Sequence, residues 1–547
     1  MRAESHDVPT NGGDRHAYNQ PLTMVELLRA LSVSKITAPG PDRVTYSMLN
    51  HLSEASKECL LKFFNRVWEE GRMPSGWKIA TVIPLLKPGK DASVPTSYRP
   101  IALTSCIGKT FERIINNHLI YYLADNRCLT EFQCGFRRGC STTDHLVRLE
   151  TTIREAFVKR QHCVSVFFDL EKAYDTAWRH GILLDLHSFG IRGGLLRLIS
   201  NFLQQRVFRV QLGTTLSRPY IQQNGVPQGS VLSVTLFIVK MNSIANAIPP
   251  SIKYSLYVDD IQISCSSTNL AICERRLQLT VNKLTKWALE NGFRFSLEKT
   301  VCVHFSRSRG LFAAPVLRMN EDDLTVTQEH RFLGVIFDKK LTFQSHVKNL
   351  KVKCLRSMNV LKILSHKSWG ADKETLHRVY ISTVRSKLDY ACIVYGSARK
   401  SILKALDPVH HLGLRLALGA FRTSPIQSLY AECNEWSLER RRFYLSSLYS
   451  LRIRGFPRNP ASSCVKGTHL GQLFLNKPSV ISPISMRISH DIETYGVVDY
   501  NCSISECGKL DPPWLVPPTC DLSLTRHRKK DTASTVLQQE FMSLKES

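Results

Sequence analysis

Residues 252–263 read IKYSLYVDDIQI. Ile252, Tyr254, Leu256 and Val258 alternate with polar or exposed positions, and Ile261 and Ile263 resume the alternation after Asp259-Asp260. Two period-two runs around an acidic pair predict a β-hairpin with both carboxylates at its tip. Such a pair is costly without a partner, because at about 4 Å two like charges repel by roughly 4 kcal/mol at an effective dielectric near ~20. Magnesium removes that repulsion and prefers hard oxygen ligands. Acidic residues are also common in ordinary turns, so the pair alone leaves both readings open.

A third carboxylate, Asp169, ends the short apolar strand from Cys163 to Phe168 and belongs to FDLEKAYD, which starts at Phe168. Carboxylates on two strands can bridge two metal ions about 3.5–4 Å apart and stabilise both oxygens of an in-line displacement. Between the acidic strands lies Asn224-Gly225-Val226-Pro227-Gln228-Gly229-Ser230. Around this strand-rich middle the pattern is helical. Thr23 and Glu26 have capping-box spacing ahead of Leu27, Leu28 and Leu31. Ala38-Pro39-Gly40-Pro41-Asp42 must turn. Phe111, Ile114, Ile115 and Leu119 mark one helix, Leu146, Leu149, Ile153 and Phe157 a second, and Leu277, Val281, Leu284 and Trp287 a third that stops at Gly292. Beyond residue 345 the chain is helical and basic; after residue 455 Pro, Ser and Cys accumulate and periodicity fades.

The whole chain has 547 residues, enough for two or three subdomains, and 43% of them are hydrophobic, so disorder is not its default state. Its 73 Lys and Arg outnumber 46 Asp and Glu, and the net charge of +27 points to a polyanionic partner. The sixteen Cys are scattered through apolar segments, as reduced thiols of cytosol or nucleus are, and not as a secreted disulfide framework. The first twenty residues hold no apolar signal-peptide core. No apolar run approaches the roughly 18 residues of a membrane span.

Taken in order, FDLEKAYD, GVPQGSVLS and YVDD resemble the reverse transcriptases of non-LTR retrotransposons. The resemblance covers roughly residues 35 to 445 and includes KITAPGPD from Lys35, IPLLKPGK from Ile83, YRPIALTS from Tyr98 and GFRRGCSTTDHL from Gly135. NGFRFSLEKT from Asn291 and FLGVIFDKKLTFQSH from Phe332 follow. A set of motifs in order is far more specific than any one of them.

The resemblance implies an α+β right-hand polymerase fold of fingers, a palm with an antiparallel sheet, and a helical thumb. It implies an N-terminal extension over residues 1–65, fingers and palm over 66–341, a thumb-like region over 342–447 and a linker or extension over 448–547. The implied reaction is RNA-directed DNA polymerisation with an RNA template, a DNA primer, deoxynucleoside triphosphates and two Mg2+ ions, for which Mn2+ can substitute. By the resemblance Asp169 and Asp259 ligate both metals, the Leu170 carbonyl assists and Asp260 tunes the site. Tyr174 excludes a 2′-hydroxyl, Gln228 lies beside the nascent base pair, and Lys87 and Arg99 grip the triphosphate. Lys299 corresponds to the lysine proposed to protonate pyrophosphate, and Phe332, Leu333 and Gly334 to the primer grip. An RNA-dependent RNA polymerase is the rival within polymerases, and Tyr174 and the FLGV turn argue against it. A decayed or domesticated copy that only binds RNA is the rival from another class.

Two positions depart from the pattern: Val234 stands where relatives usually carry proline, and Cys140 where they are often basic or polar. About thirty residues precede the first motif, too few for an endonuclease domain. Pro512-Pro513-Trp514 resembles a linker that leads into an RNase H domain in some relatives, and no such domain is expected here. Cys502, Cys507, Cys520 and His527 are spaced too irregularly for a zinc knuckle, and Arg526 to Lys530 is a solvated basic run before it is a nuclear signal. Arg378, Arg385, Lys387, Arg415 and Arg422 sit at helical spacings that predict a basic face against duplex phosphates.

Overall fold

The computed structural model describes residues 16–34, 37–307, 313–496 and 511–515, with residues 12, 536 and 539 besides. The irregular Cys/His set and the Arg526–Lys530 run lie outside them.

A five-stranded sheet forms the centre, in the order Thr325–Thr327, Val301–Phe305, His162–Phe168, Asp260–Ser267, Lys253–Tyr257. Strand His162–Phe168 is buried along its whole length, since it pairs antiparallel with a neighbour on each side and helices cover the sheet. Its apolar run is therefore continuous, as expected of a strand buried on both faces. A second sheet carries Tyr98–Leu103, Ile79–Leu86 and Val207–Leu212, the last two parallel.

The helices fall where periodicity predicts. Thr23 Oγ1 accepts from Glu26 N–H and the Glu26 carboxylate accepts from Thr23 N–H, closing the capping box of Met24–Ser32. The other Glu26 oxygen meets buried His118 at 2.6 Å. Helix Cys106–Asp125 buries Phe111, Ile114, Ile115 and Leu119 completely, and helix Leu270–Glu290 buries Leu277, Val281 and Leu284. Helix Thr142–Val158 is buried nearly all round and sends Leu146, Leu149, Ile153 and Phe157 into a second apolar cluster. That cluster is built mainly by the helices after residue 343: Gln344–Leu364, Lys373–Tyr380 with its π-turn extension Ile381–Arg385, Asp407–Leu418 and Leu438–Arg454.

Within the stretch expected to be a linker or extension, the chain is helical over Ser462–Lys466, Gly471–Leu475 and Ile484–Thr494, and Val465, Phe474, Ile484 and Ile488 pack into the same cluster. Ser462–Lys466 and Gly471–Leu475, at five residues each, are too short to display a 3.6-residue repeat, whereas Ile484, Ile488 and Ile492 recur at helical spacing in the third helix. Further on, Trp514 packs at a tilt on His118 and edge-on to Tyr121, at 4.9 and 5.1 Å between ring centroids, so Pro512-Pro513-Trp514 docks on the first apolar cluster. No helix among the described residues is long and apolar enough to cross a membrane.

Candidate active site

Register places the acids. Phe168 pairs with Ile261 across antiparallel strands, so one step further Asp169 comes opposite Asp260. Tyr257 pairs with Asp260, which leaves Val258 and Asp259 as the two-residue turn of the hairpin. The carboxylates repel one another. The Asp260 residue is exposed by surface area, yet its carboxyl lies among enough protein that desolvation, then Asp259 and Asp169, push it up to about 6. Burial, then Asp169, also raises the Asp259 carboxyl above its ordinary range. Lys299 Nζ donates to Asp169 Oδ2 at 3.0 Å. On the far edge Ser296 N–H donates to the Asp169 carbonyl and Glu171 N–H to the Arg294 carbonyl, which leaves the Leu170 carbonyl outside that pairing.

The glycine-flanked loop joins this centre to the second sheet. Val226 N–H donates to the Tyr174 carbonyl and Ala102 N–H to the Gln228 carbonyl. Gly225 has φ +75°, and a Cβ there would lie 2.5 Å from the carbonyls of Tyr174 and Asp175. Gly229 has φ +129°, and its Cβ would lie 2.2 Å from the Ala102 carbonyl. No side chain fits at either position. The Tyr174 ring stacks on Phe237, and burial, then Asp259, pushes its hydroxyl up to about 12, so it stays neutral.

Arg99 lies on strand Tyr98–Leu103 and Lys87 one residue beyond strand Ile79–Leu86. Leu85 pairs with Arg99, and Lys87 N–H donates to the Ser97 carbonyl, so Lys87 and Arg99 fall on one face at diagonal positions. The Lys87 ammonium is folded back onto the Thr96 carbonyl at 3.0 Å. Phe332, Leu333 and Gly334 form the tip of the hairpin Glu329–Phe332/Val335–Asp338, where Leu333 and Gly334 both have positive φ. His330 stacks on Phe167, two residues before Asp169, Phe332 packs on the same ring at a tilt, and Tyr390 Oη donates to the Leu333 carbonyl at 2.7 Å.

Residues beyond the quoted motifs complete the frame. Glu112 accepts from Ser230 Oγ and from the N–H groups of Val231 and Leu232, capping helix Val231–Asn242 behind the loop. Val234 is half-buried at the fourth position of that helix, where no backbone partner depends on proline. Gln133, just ahead of GFRRGCSTTDHL, bonds Val258 N–H. An isolated Glu or Gln carries no local signal of such a role, though Gln133 adjoins a motif.

The arrangement is an α+β fold in which three carboxylates meet at adjoining strand ends of a largely antiparallel sheet, with Thr325–Thr327 pairing parallel at its edge. Residues 85–337 match the family described as reverse transcriptase (RNA-dependent DNA polymerase). The chain is 28% identical over 438 residues to the probable RNA-directed DNA polymerase from transposon BS of Drosophila melanogaster, covering 79% of this chain and 48% of that protein. It is 29% identical over 410 residues to the RNA-directed DNA polymerase from mobile element jockey of Drosophila funebris, covering 73% and 44%. It thus spans about half the length of these curated relatives. Telomerase from Candida tropicalis aligns with a TM-score of 0.36 at 13% identity, over 76% of this chain and 67% of that one, too little to carry an argument. Residues 85–337 are thus similar to reverse transcriptase domains, and most of the chain is similar to RNA-directed DNA polymerases of mobile elements.

Proposed function

We propose that this chain is the polymerase portion of a non-LTR retrotransposon protein and adds deoxynucleotides to a DNA primer on an RNA template. The observation that carries the proposal is the convergence of Asp169, Asp259 and Asp260 at adjoining strand ends, with Tyr174 next to Asp259. Three mutually repelling oxygen donors suit a hard divalent cation. Asp169 and Asp259, with the Leu170 carbonyl and Asp260 in support, are the residues to hold two Mg2+ ions, or Mn2+ in their place. Bound there, the ions supply charge stabilisation to the attacking and leaving oxygens.

The remaining roles belong to side chains. Tyr174, braced by Phe237, is the wall under the incoming sugar and rejects a 2′-hydroxyl. Gln228 lines the nascent base pair from a loop whose glycines let backbone approach closely. Lys87 and Arg99 share a strand face from which they can hold the triphosphate. Lys299, within hydrogen-bond reach of Asp169, is positioned to deliver a proton to departing pyrophosphate. Phe332, Leu333 and Gly334 seat the primer 3′ end, and the thumb-like helices hold the duplex. The scattered free cysteines, unlike a secreted disulfide framework, support a place in nucleus or cytoplasm.

Primer extension on a primed RNA with purified protein and Mg2+ tests this reading. Extension by deoxynucleotides supports it; RNA binding without any extension would favour a copy that has lost catalysis.

A further inference from the structure

Val258 precedes Asp259 and has φ +62°, and among described non-glycine residues with left-handed backbone it alone is β-branched. Such a side chain does not adopt this conformation unless its surroundings impose it. What imposes it is segment Phe132–Gly135, more than a hundred residues away in sequence. The side-chain carbonyl of Gln133, a fully buried residue, accepts from Val258 N–H at 3.0 Å and from Gly135 N–H at 3.1 Å. Gly135 then closes onto the turn so tightly that a Cβ there would lie 2.5 Å from Val258 Cγ2.

The same segment is spliced to the hairpin strand. Leu256 N–H donates to the Phe132 carbonyl and Cys134 N–H to the Leu256 carbonyl. His145 Nε2 lies 2.9 Å from that Leu256 carbonyl, which can only accept, so Nε2 carries the proton. Both hairpin strands are locked by sheet register, and the Asp169 backbone is held by Ser296 N–H, which donates to its carbonyl. The turn at Val258-Asp259 is the remaining backbone freedom that can move the Asp259 carboxylate relative to Asp169.

We propose that Gln133 is a positioning residue for polymerisation: by bonding Val258 N–H it holds the left-handed turn that aims the Asp259 carboxylate at the cation position shared with Asp169. The proposal rests on the polymerase reading above. Gln133 touches neither substrate nor metal and acts through Val258.

The test uses the full chain with Gln133→Met, which keeps length and removes the acceptor. Two quantities are read: Mn2+ binding by calorimetry without nucleotide, and the Mg2+ dependence of single-nucleotide extension. Loss of a residue that orients a ligand should weaken Mn2+ binding, and raise the half-saturating Mg2+, by about tenfold or more. Melting should stay cooperative, though at a lower temperature because two backbone N–H groups lose their acceptor, and affinity for the primed RNA should be unchanged. In a Val258→Gly background, where the turn needs no clamp, Gln133→Met should cost far less than in the native chain. Native-like Mn2+ binding by Gln133→Met, or strictly additive effects of the two changes, overturns the assignment. Should Gln133→Met not fold, Gln133→Asn, which keeps an acceptor but shortens its reach, must show the same metal defect or the assignment fails. A native chain that binds Mn2+ but never extends a primer overturns the polymerase reading instead.

Discussion

The rings of Tyr174 and Phe237 lie nearly parallel, 14° apart in plane and 4.4 Å between centroids. Phe237 is completely buried in helix Val231–Asn242, so the tyrosine ring is clamped against a fixed surface. A clamped ring can act as a steric wall where a mobile one would yield. Tyr174→Ala should therefore admit ribonucleotides more readily, whereas Tyr174→Phe should not, because the hydroxyl is neutral and the bulk is kept. Competition between a ribonucleotide and its deoxy counterpart measures this. An unchanged preference in Tyr174→Ala would return the residue to simple packing.

Asp259→Asn keeps shape and removes one of three repelling charges. Extension should fall by about a hundredfold or more, as when a preorganised stabilising group is lost, while RNA binding persists. The metal-free variant should melt higher than the native protein, since Asp260 loses a like-charged neighbour. Near-normal extension in Mg2+ would remove this hairpin from the reaction.

Gly229→Ala sets a Cβ against the Ala102 carbonyl and keeps φ at +129°. Backbone strain alone costs about 1–3 kcal/mol, and the collision adds to it. The loop should pull away from strand Tyr98–Leu103, with loss of extension and a lower melting temperature. Native-like melting and activity would show that the loop has room that this packing denies.

The thumb-like charges divide in two. Arg385 is largely buried and pairs with Glu435 and Asp389, Arg378 pairs with Glu374, and Arg415 donates to the Ser424 carbonyl, so these are not a bare basic face. Helix Gln344–Leu364 is different: it carries Lys348, Lys351, Lys353, Arg356 and Lys362 and no acidic residue. Burial, then Arg331 and Lys387, pulls the Lys353 ammonium below its ordinary pKa. Replacing Lys348, Lys353 and Arg356 together should flatten the salt dependence of duplex binding by about 0.7–0.9 per lost contact. Arg385→Ala should instead destabilise the fold and leave the slope alone. Binding titrations across salt concentration distinguish the two; an unaltered slope in the triple variant would mean the duplex is held elsewhere.

His330 stacks on Phe167, and burial holds its imidazole down at about 4. The folded state thus binds fewer protons than the unfolded chain between about pH 4 and 6.5, so stability should rise with pH across that window. The contribution is complete above the unfolded pKa, is lost as pH falls, and has a slope of at most about 1.4 kcal/mol per pH unit. His330→Phe keeps the stack and should make melting less sensitive to pH between 4 and 6.5. Identical pH profiles would refute that share.

By itself the sequence determined whatever local chemistry could encode: the acidic hairpin, the capping box at Thr23, and helices long enough for their apolar repeat to show. The ordered motifs added the resemblance to reverse transcriptases. Other features came only from tertiary structure, because they join residues far apart in the chain. Gln133 meets Val258 across 125 positions, and Arg385 is neutralised by Glu435 from 50 positions away. Asp169 stands opposite Asp260 only because strand register sets it there. The five-residue helices Ser462–Lys466 and Gly471–Leu475 are likewise stable through the cluster they complete, and packing of that kind leaves no periodic trace within five residues of sequence.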